Sequence, residues 1–252
     1  MTREESRGEQ ALVLRVGTFR EIDCWVRFFS PVRGIETAFA FGGRRSRRRF
    51  PGCLDALSHL RIDLERPRSG RYLTLCQGTL LHRFSGLHQH VQRLGMAVNC
   101  IKFLEAAHNG SGQAESIFDL TLHALHVLSV TSDVPATFPL VFRVKLTCMY
   151  GYEPVLDVCG NCGEKLSDLH KGSFSWAGGR ALCPRCRNRD QGSALIHDLD
   201  LARLGQILQG SPEDWICSAW PRSGEKKLWQ ALDSFVQFHT GLQWEKGRFR
   251  RV

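Results

Sequence analysis

The 252-residue chain contains no apolar run approaching the roughly 18 residues that a spanning helix needs. Residues 1–10 are almost wholly polar and lack the apolar core of a secretory signal. Also missing are the short patterns that mark several enzyme classes. There is no GxxxxGKS/T phosphate loop, no GxGxxG, no GxSxG elbow and no HExxH. The carboxylates are scattered rather than grouped to hold two catalytic metals. Nothing resembles the HxE plus CxxC pattern of a zinc deaminase. These absences point away from membranes, export and catalysis. The expectation is a cytoplasmic, non-enzymatic protein with no membrane partner.

What is present is positive charge, unevenly spread. The formal net charge is +9. Residues 1–80 hold 15 Lys and Arg against 9 Asp and Glu, residues 81–158 hold 5 against 6, and residues 159–252 hold 14 against 10. Two basic ends around a near-neutral middle suit a polyanionic partner.

The periodicity divides the chain. Up to about residue 84, apolar residues come in strand-length runs at 11–16, 24–30, 35–41, 59–64 and 72–80. Turn-forming stretches at 30–34 and 67–70 separate some of them. Five short strands in so few residues fit a small closed or partly open barrel, of which the OB-fold is one type. From residue 85 the period becomes helical. Leu87, Val91, Leu94, Val98 and Ile101 make one stripe, Ile117, Leu120, Ala124 and Leu128 a second, and Phe138, Phe142, Leu146 and Met149 a third. Gly151 can end the third helix. Residues 199–208 and 227–242 are again helical, the latter with Leu228, Ala231, Leu232, Phe235, Phe238 and Leu242 on one stripe. The expected fold class is α+β: an N-terminal OB-fold β-barrel over 1–84, helical parts over 85–158 and 191–252, and an inserted four-cysteine zinc segment over 159–190.

Four of the ten cysteines form two CxxC knuckles, Cys159-Gly160-Asn161-Cys162 and Cys183-Pro184-Arg185-Cys186, with 20 residues between them. This is the spacing of a zinc site. Four thiolates complete a tetrahedron and leave no open position, so the expected cofactor is one structural Zn2+ held by Cys159, Cys162, Cys183 and Cys186. Gly163 relaxes the backbone where the chain turns. Arg180, Arg185, Arg187 and Arg189 stand near the second pair and would offset its negative charge. Cys24, Cys53, Cys76, Cys100, Cys148 and Cys217 stand alone, mostly among apolar neighbours, and read as buried small hydrophobes.

Residues 42–50, Gly-Gly-Arg-Arg-Ser-Arg-Arg-Arg-Phe, place five arginines in six positions. Their mutual repulsion predicts an exposed loop. Arg44, Arg45, Arg47, Arg48 and Arg49 offer forks that match phosphate oxygens. Trp25, Phe28, Phe39, Phe50 and Tyr72 are candidate stacking platforms for bases, although several are expected in the core. A further basic group, Lys246, Arg248, Arg250 and Arg251, follows Trp244 and reads either as a frayed tail or as a second nucleic-acid contact.

Several of these segments resemble the bacterial DNA repair family RecO. The similarity lies in Phe142-Arg143-Val144-Lys145-Leu146 and in the run from Gly151-Tyr152-Glu153-Pro154-Val155-Leu156-Asp157 into the first knuckle. It extends to Gly42-Gly43-Arg44-Arg45-Ser46, to residues 54–64 and to Ile117-Phe118-Asp119-Leu120. The resemblance implies an N-terminal OB-fold, a helical C-terminal region and a zinc segment. It implies a recombination mediator that binds single- and double-stranded DNA, with Arg44, Arg45, Arg47, Arg48 and Arg49 as contacts, and that anneals complementary strands. It further implies work with RecR, docking of the acidic C-terminal tail of single-strand-binding protein, indirect help to RecA, and association with the nucleoid during repair. A zinc-ribbon adaptor in transcription or RNA processing stays open, because RNA and DNA share phosphate chemistry.

Overall fold

A computed structural model describes residues 4–66, 72–108, 110, 112–166, 172–187, 193–196, 198–217 and 225–252. The turn expected at 67–70, Arg189 and the side chain of Cys217 lie outside the described residues. Within them no helix is long and apolar enough to cross a membrane. The chain divides into two compact units, Met1–Val91 with His108–Ser129, and Gln92–Ala107 with Val130–Val252.

The first unit contains five strands: β1 (Glu4–Thr18), β2 (Cys24–Ser30), β3 (Gly34–Ala40), β4 (Ser58–Arg66) and β5 (Leu73–Arg83). They close a barrel in the order β1-β2-β3-β5-β4. Every pairing is antiparallel except β3 with β5, a parallel seam of two residue pairs, Ala38 with Leu73 and Phe39 with Thr74. β1 begins seven residues before the apolar run, because polar Glu4, Glu5 and Ser6 pair with Arg66, Glu65 and Leu64 at the barrel rim. Strand alternation sends Ala11, Val13, Val26, Phe28, Leu60 and Ile62 into the barrel core. The intervening Leu12, Leu14 and Phe29 are buried on the outer face. The helix α3 (Ala114–Val130) covers that face, with the Phe118 ring 5.6 Å from Phe29 and 5.8 Å from His59. The one-turn helix α1 (Ser85–His88) completes the unit.

The second unit takes α2 (Val91–Ala107), α4 (Phe138–Met149), β6 (Gly172–Ser175), β7 (Arg180–Leu182), β8 (Ser193–Ile196), α5 (Asp198–Gln209), α6 (Asp214–Cys217) and α7 (Glu225–Thr240). It ends in a hairpin of β9 (Leu242–Glu245) and β10 (Arg248–Arg251). The strands β7-β6-β8 form a small sheet. Its Phe174 ring stands 5.8 Å from Phe235 of α7.

Two stripes differ from their sequence reading. The helical pattern from residue 85 breaks into α1 and α2, and α2 buries Arg93, Ala97, Cys100, Ile101, Phe103 and Leu104. Val91, expected in the core, is exposed. Arg93 is placed inward because its guanidinium donates to the Thr131 carbonyl at 2.7 Å, which satisfies a buried charge. In α7, Val236 is buried and Phe238 is 61% exposed. Of the lone cysteines, Cys24, Cys53 and Cys100 are buried, while Cys76 and Cys148 are half-buried. Burial pushes the Cys53 thiol up to about 11 and the Cys100 thiol up to about 12, so neither ionises readily.

The two α7 phenylalanines separate packing from pattern. Phe235→Ala should destabilise the protein by about 3–5 kcal/mol, and Phe238→Ala by under about 1 kcal/mol, in urea unfolding.

Candidate metal centre and nucleic-acid interface

The first knuckle is stitched to the small sheet. The Val155 N–H donates to the Gly179 carbonyl at 2.9 Å, and the Ala181 N–H donates to Val155 at 2.7 Å. The Gly160 N–H donates to the Ala181 carbonyl at 2.9 Å. The knuckle turn closes through Gly163, whose N–H donates to the Cys159 carbonyl at 2.8 Å and whose φ of 73° suits glycine. The second knuckle follows β7 directly. Its turn is held by donation from the Cys186 N–H to the Cys183 carbonyl at 3.0 Å.

These two turns bring the sulfurs of Cys159, Cys162, Cys183 and Cys186 within 4.8 Å of one another. The Cys162 and Cys183 sulfurs are 3.8 Å apart. A tetrahedron with metal–sulfur bonds of about 2.3 Å has edges of about 3.8 Å, so the spacing fits one ion. It is far too long for a disulfide. Cys159 and Cys183 are buried and Cys162 is exposed, so the centre lies at the surface with its inner half covered.

The donor set asks for a cation. Burial opposes ionisation of Cys159, but hydrogen bonds from the backbone of Cys183, Asn161 and Cys162 outweigh it and bring its thiol down to about 6. Hydrogen bonding to Cys183, together with burial, pushes Cys186 up to about 12. Thiolates held this close repel one another, and a positive ion among the four sulfurs would offset that repulsion. The arginines near the site have separate roles. Arg185 pairs with Glu164 at 2.7 Å and so ties the two knuckles together. The Arg180 side chain packs against Gly160, where any Cβ would collide with it, and its Nε is buried without a hydrogen-bond partner among the described residues.

The arginine segment leaves the barrel after β3 as a series of turns, with Arg44, Arg45, Arg47, Arg48 and Arg49 all exposed. It is not slack. The Gly42 N–H donates to Asp23 Oδ1 at 2.7 Å, the Arg44 N–H to the Ile22 carbonyl at 3.1 Å, and the Gly78 N–H to the Arg49 carbonyl at 2.9 Å. The Arg44 guanidinium donates to the Glu21 carbonyl at 3.2 Å, and that of Arg49 to the Phe41 carbonyl. Arg44 and Arg49 thus brace the loop. The Arg45 N–H donates to the Gly42 carbonyl at 3.2 Å, but the side chains of Arg45, Arg47 and Arg48 have no hydrogen bond or ion pair among the described residues. A cleft of about 850 Å³ opens beside the loop, lined by Arg44, Arg45 and Arg47 with Thr18, Pro51 and Asp55 among its other walls.

The aromatic candidates sort into two sets. Phe28 and Phe50 are core, and the Trp25 ring lies over Gly17. Phe39 is the hub of a surface cluster, 4.7 Å from Phe19, 4.8 Å from Tyr72 and 6.4 Å from Phe41 between ring centres. Phe19, Phe41 and Tyr72 are 43%, 42% and 53% exposed. Arg20 sits 5.3 Å from the Phe19 ring. Phe19 and Phe41 join the cluster although they are not among the platforms expected from the sequence. The alternation with Phe39 pointed to Phe41, but Phe19 joins only through the pairing of β1, β2 and β3, which carries no local signal.

A second cleft, of about 760 Å³, runs between residues 153–158 and α5. Its walls include Pro154, Val155, Leu156, Leu201 and Leu208, and its rim carries Glu153 and Asp157 beside Lys165.

Comparison with known proteins agrees along nearly the whole chain. The family model described as recombination protein O, N terminal, matches residues 6–84, and that for the C terminal matches residues 88–248. A DNA repair protein RecO from Solidesulfovibrio magneticus is 42% identical, over 97% of this chain and 98% of its own length. RecO proteins from Oleidesulfovibrio alaskensis and Nitratidesulfovibrio vulgaris are 42% and 40% identical over the same shares.

The metal centre has a direct check. Elemental analysis of the purified chain should find one equivalent of bound metal, and Cys159→Ser or Cys183→Ser should remove it and lower the unfolding temperature. A fully stable Cys159→Ser protein lacking metal would overturn the structural role.

Proposed function

The chain belongs to the RecO family of DNA repair proteins, and from that premise we propose that it is a recombination mediator that binds and anneals DNA without bond chemistry. In this reading residues 1–84 form a DNA-binding OB-fold, 85–158 and 191–252 the helical body, and 159–190 a segment clamped by one structural Zn2+ on Cys159, Cys162, Cys183 and Cys186. Zinc is favoured over other ions by an all-thiolate tetrahedral donor set. The metal supplies rigidity, and no step passes through it.

The observation that carries the reading is the pairing of two features on one barrel. The braced loop offers Arg45, Arg47 and Arg48 to phosphates, with Arg44 and Arg49 holding its shape and adding charge. The rings of Phe19, Phe39, Phe41 and Tyr72 offer flat apolar surface to bases. Phe19 lies in the β1–β2 connection, Phe39 on β3 and Tyr72 just before β5. OB-folds bind oligonucleotides with their second and third strands and the loops joining strands one to two and four to five. A cationic surface screens the repulsion between two phosphate backbones, so complementary strands can meet on it. The family also implies RecR, the acidic tail of single-strand-binding protein and, indirectly, RecA as partners in a nucleoid-associated role. The cleft along α5 is a poor seat for that acidic tail, since Glu153 and Asp157 stand on its rim.

Complementary oligonucleotides should anneal faster with the protein than without it, in the absence of ATP, and no acceleration would overturn the proposal. Changing all five loop arginines to Ala should weaken binding to every sequence alike and flatten the log–log salt slope for single strands by about 3–4. Tyr72→Ala should weaken single-strand binding by about 1–3 kcal/mol and leave duplex binding almost unchanged, as read by fluorescence anisotropy.

A further inference from the structure

The last basic group of the chain is folded rather than frayed. β9 and β10 pair in register, Glu245 with Arg248 and Trp244 with Phe249. The two-residue connection, Lys246 and Gly247, has φ of 47° and 80°, as a type I′ hairpin turn requires. The hairpin is also anchored. Phe249 is buried, with its ring 5.1 Å from Phe103 and 4.8 Å from Trp244. The Arg143 guanidinium lies 5.4 Å from the Phe249 ring and is held by Asp233 at 3.2 Å. Lys102 donates to the Gly247 carbonyl at 2.7 Å, which fixes the turn.

Strand alternation sets Phe249 toward α2 and therefore Arg248 and Arg250 away from it, with Lys246 at the tip. All three are exposed. The acid on this ribbon is Glu245, which pairs with Arg250 at 3.2 Å, and an exposed pair of this kind is worth little and gives way readily to a stronger anion. Arg248 and Arg250 lie two strand residues apart, about 6.8 Å, which is twice the roughly 3.4 Å axial spacing of phosphates on one duplex strand. We propose that this hairpin, residues 242–251, is a second phosphate-binding element that holds a nucleic-acid strand independently of the arginine loop.

Nucleic acid fits this surface better than an acidic peptide. A peptide gains affinity by seating an apolar anchor in a pocket. The solvent face of the ribbon offers Gln243, Glu245, Arg248 and Arg250, with no large apolar side chain among them. A second strand-binding element is also what annealing requires, since one site filled by one strand cannot gather its complement. The inference rests on the nucleic-acid reading above and adds to it a site in the second unit.

The test uses the full chain carrying Lys246→Asn, Arg248→Gln and Arg250→Gln, which keeps Trp244 and Phe249 and gives the left-handed turn position an Asn that tolerates it. Should that turn fail to form, Arg248→Gln with Arg250→Gln alone leaves it untouched. Anisotropy with a labelled single strand should show a salt slope flattened by about 2 for the triple variant. Annealing should fall by about tenfold or more, because a two-site assembly has lost one site. Parent-like slope and annealing in the hairpin variant, alongside a crippled arginine-loop variant, would overturn this inference alone. Loss of binding to an acidic peptide with an unchanged salt slope would also overturn it, in favour of a protein partner. If neither variant changes DNA binding, the nucleic-acid reading itself falls.

Discussion

Four sulfurs drawn to the corners of one small tetrahedron repel one another as soon as they ionise, and the segment that carries the two knuckles must resolve that repulsion. The two knuckles have little apolar surface of their own. What fixes them is a set of backbone hydrogen bonds to β7 and to residue 179, together with the Glu164–Arg185 pair across the site. Each of these contacts lies within a few residues of a cysteine. A cation at the centre would therefore hold not only four side chains but also the registry of the segment leading from α4 to the small sheet. Binding of this kind can contribute on the order of 10 kcal/mol, more than the surrounding contacts could supply.

The barrel solves a related problem with the opposite sign. Five arginines in six positions cannot pack together, yet a slack loop would pay the full cost of ordering at each encounter with a ligand. Here two of the five turn inward to backbone carbonyls and hold the loop, which leaves three guanidinium groups displayed on a frame already shaped. Charge density and preorganisation come from the same residue type in two conformations. The aromatic cluster is arranged in a similar way, because Phe39 contacts the other three rings while each of those stays partly exposed.

Much of this was legible in the sequence, for reasons that can be traced to particular residues. Strands such as Cys24–Ser30 were readable because one face had to be apolar, and the CxxC spacing was readable because metal geometry is local. The braced arginine loop was only half readable. Repulsion predicts exposure, but the anchoring of Arg44 depends on Glu21, more than twenty residues away in sequence. The inward face of α2 does not follow from apolar spacing because Arg93 occupies it, and an arginine in a core becomes tolerable only when a distant carbonyl such as that of Thr131 meets it. Helical spacing places Phe238 on the core stripe, yet its side chain is 61% exposed. The closing hairpin gives almost no sequence signal, since three of its four β10 residues are arginines and only Phe249 signals burial.

The barrel is closed by four extended antiparallel seams and one short parallel one, where Ala38 and Phe39 meet Leu73 and Thr74. A seam so short is the natural place for the cylinder to part, as a zip opens from its shortest run of teeth. Phe39 belongs to one lip of that seam and Tyr72 adjoins the other, with their rings in contact across it. The junction that holds the cylinder shut is therefore also its aromatic surface. A guest molecule resting on both rings would act as a clasp, making the wall stiffer when occupied than when bare.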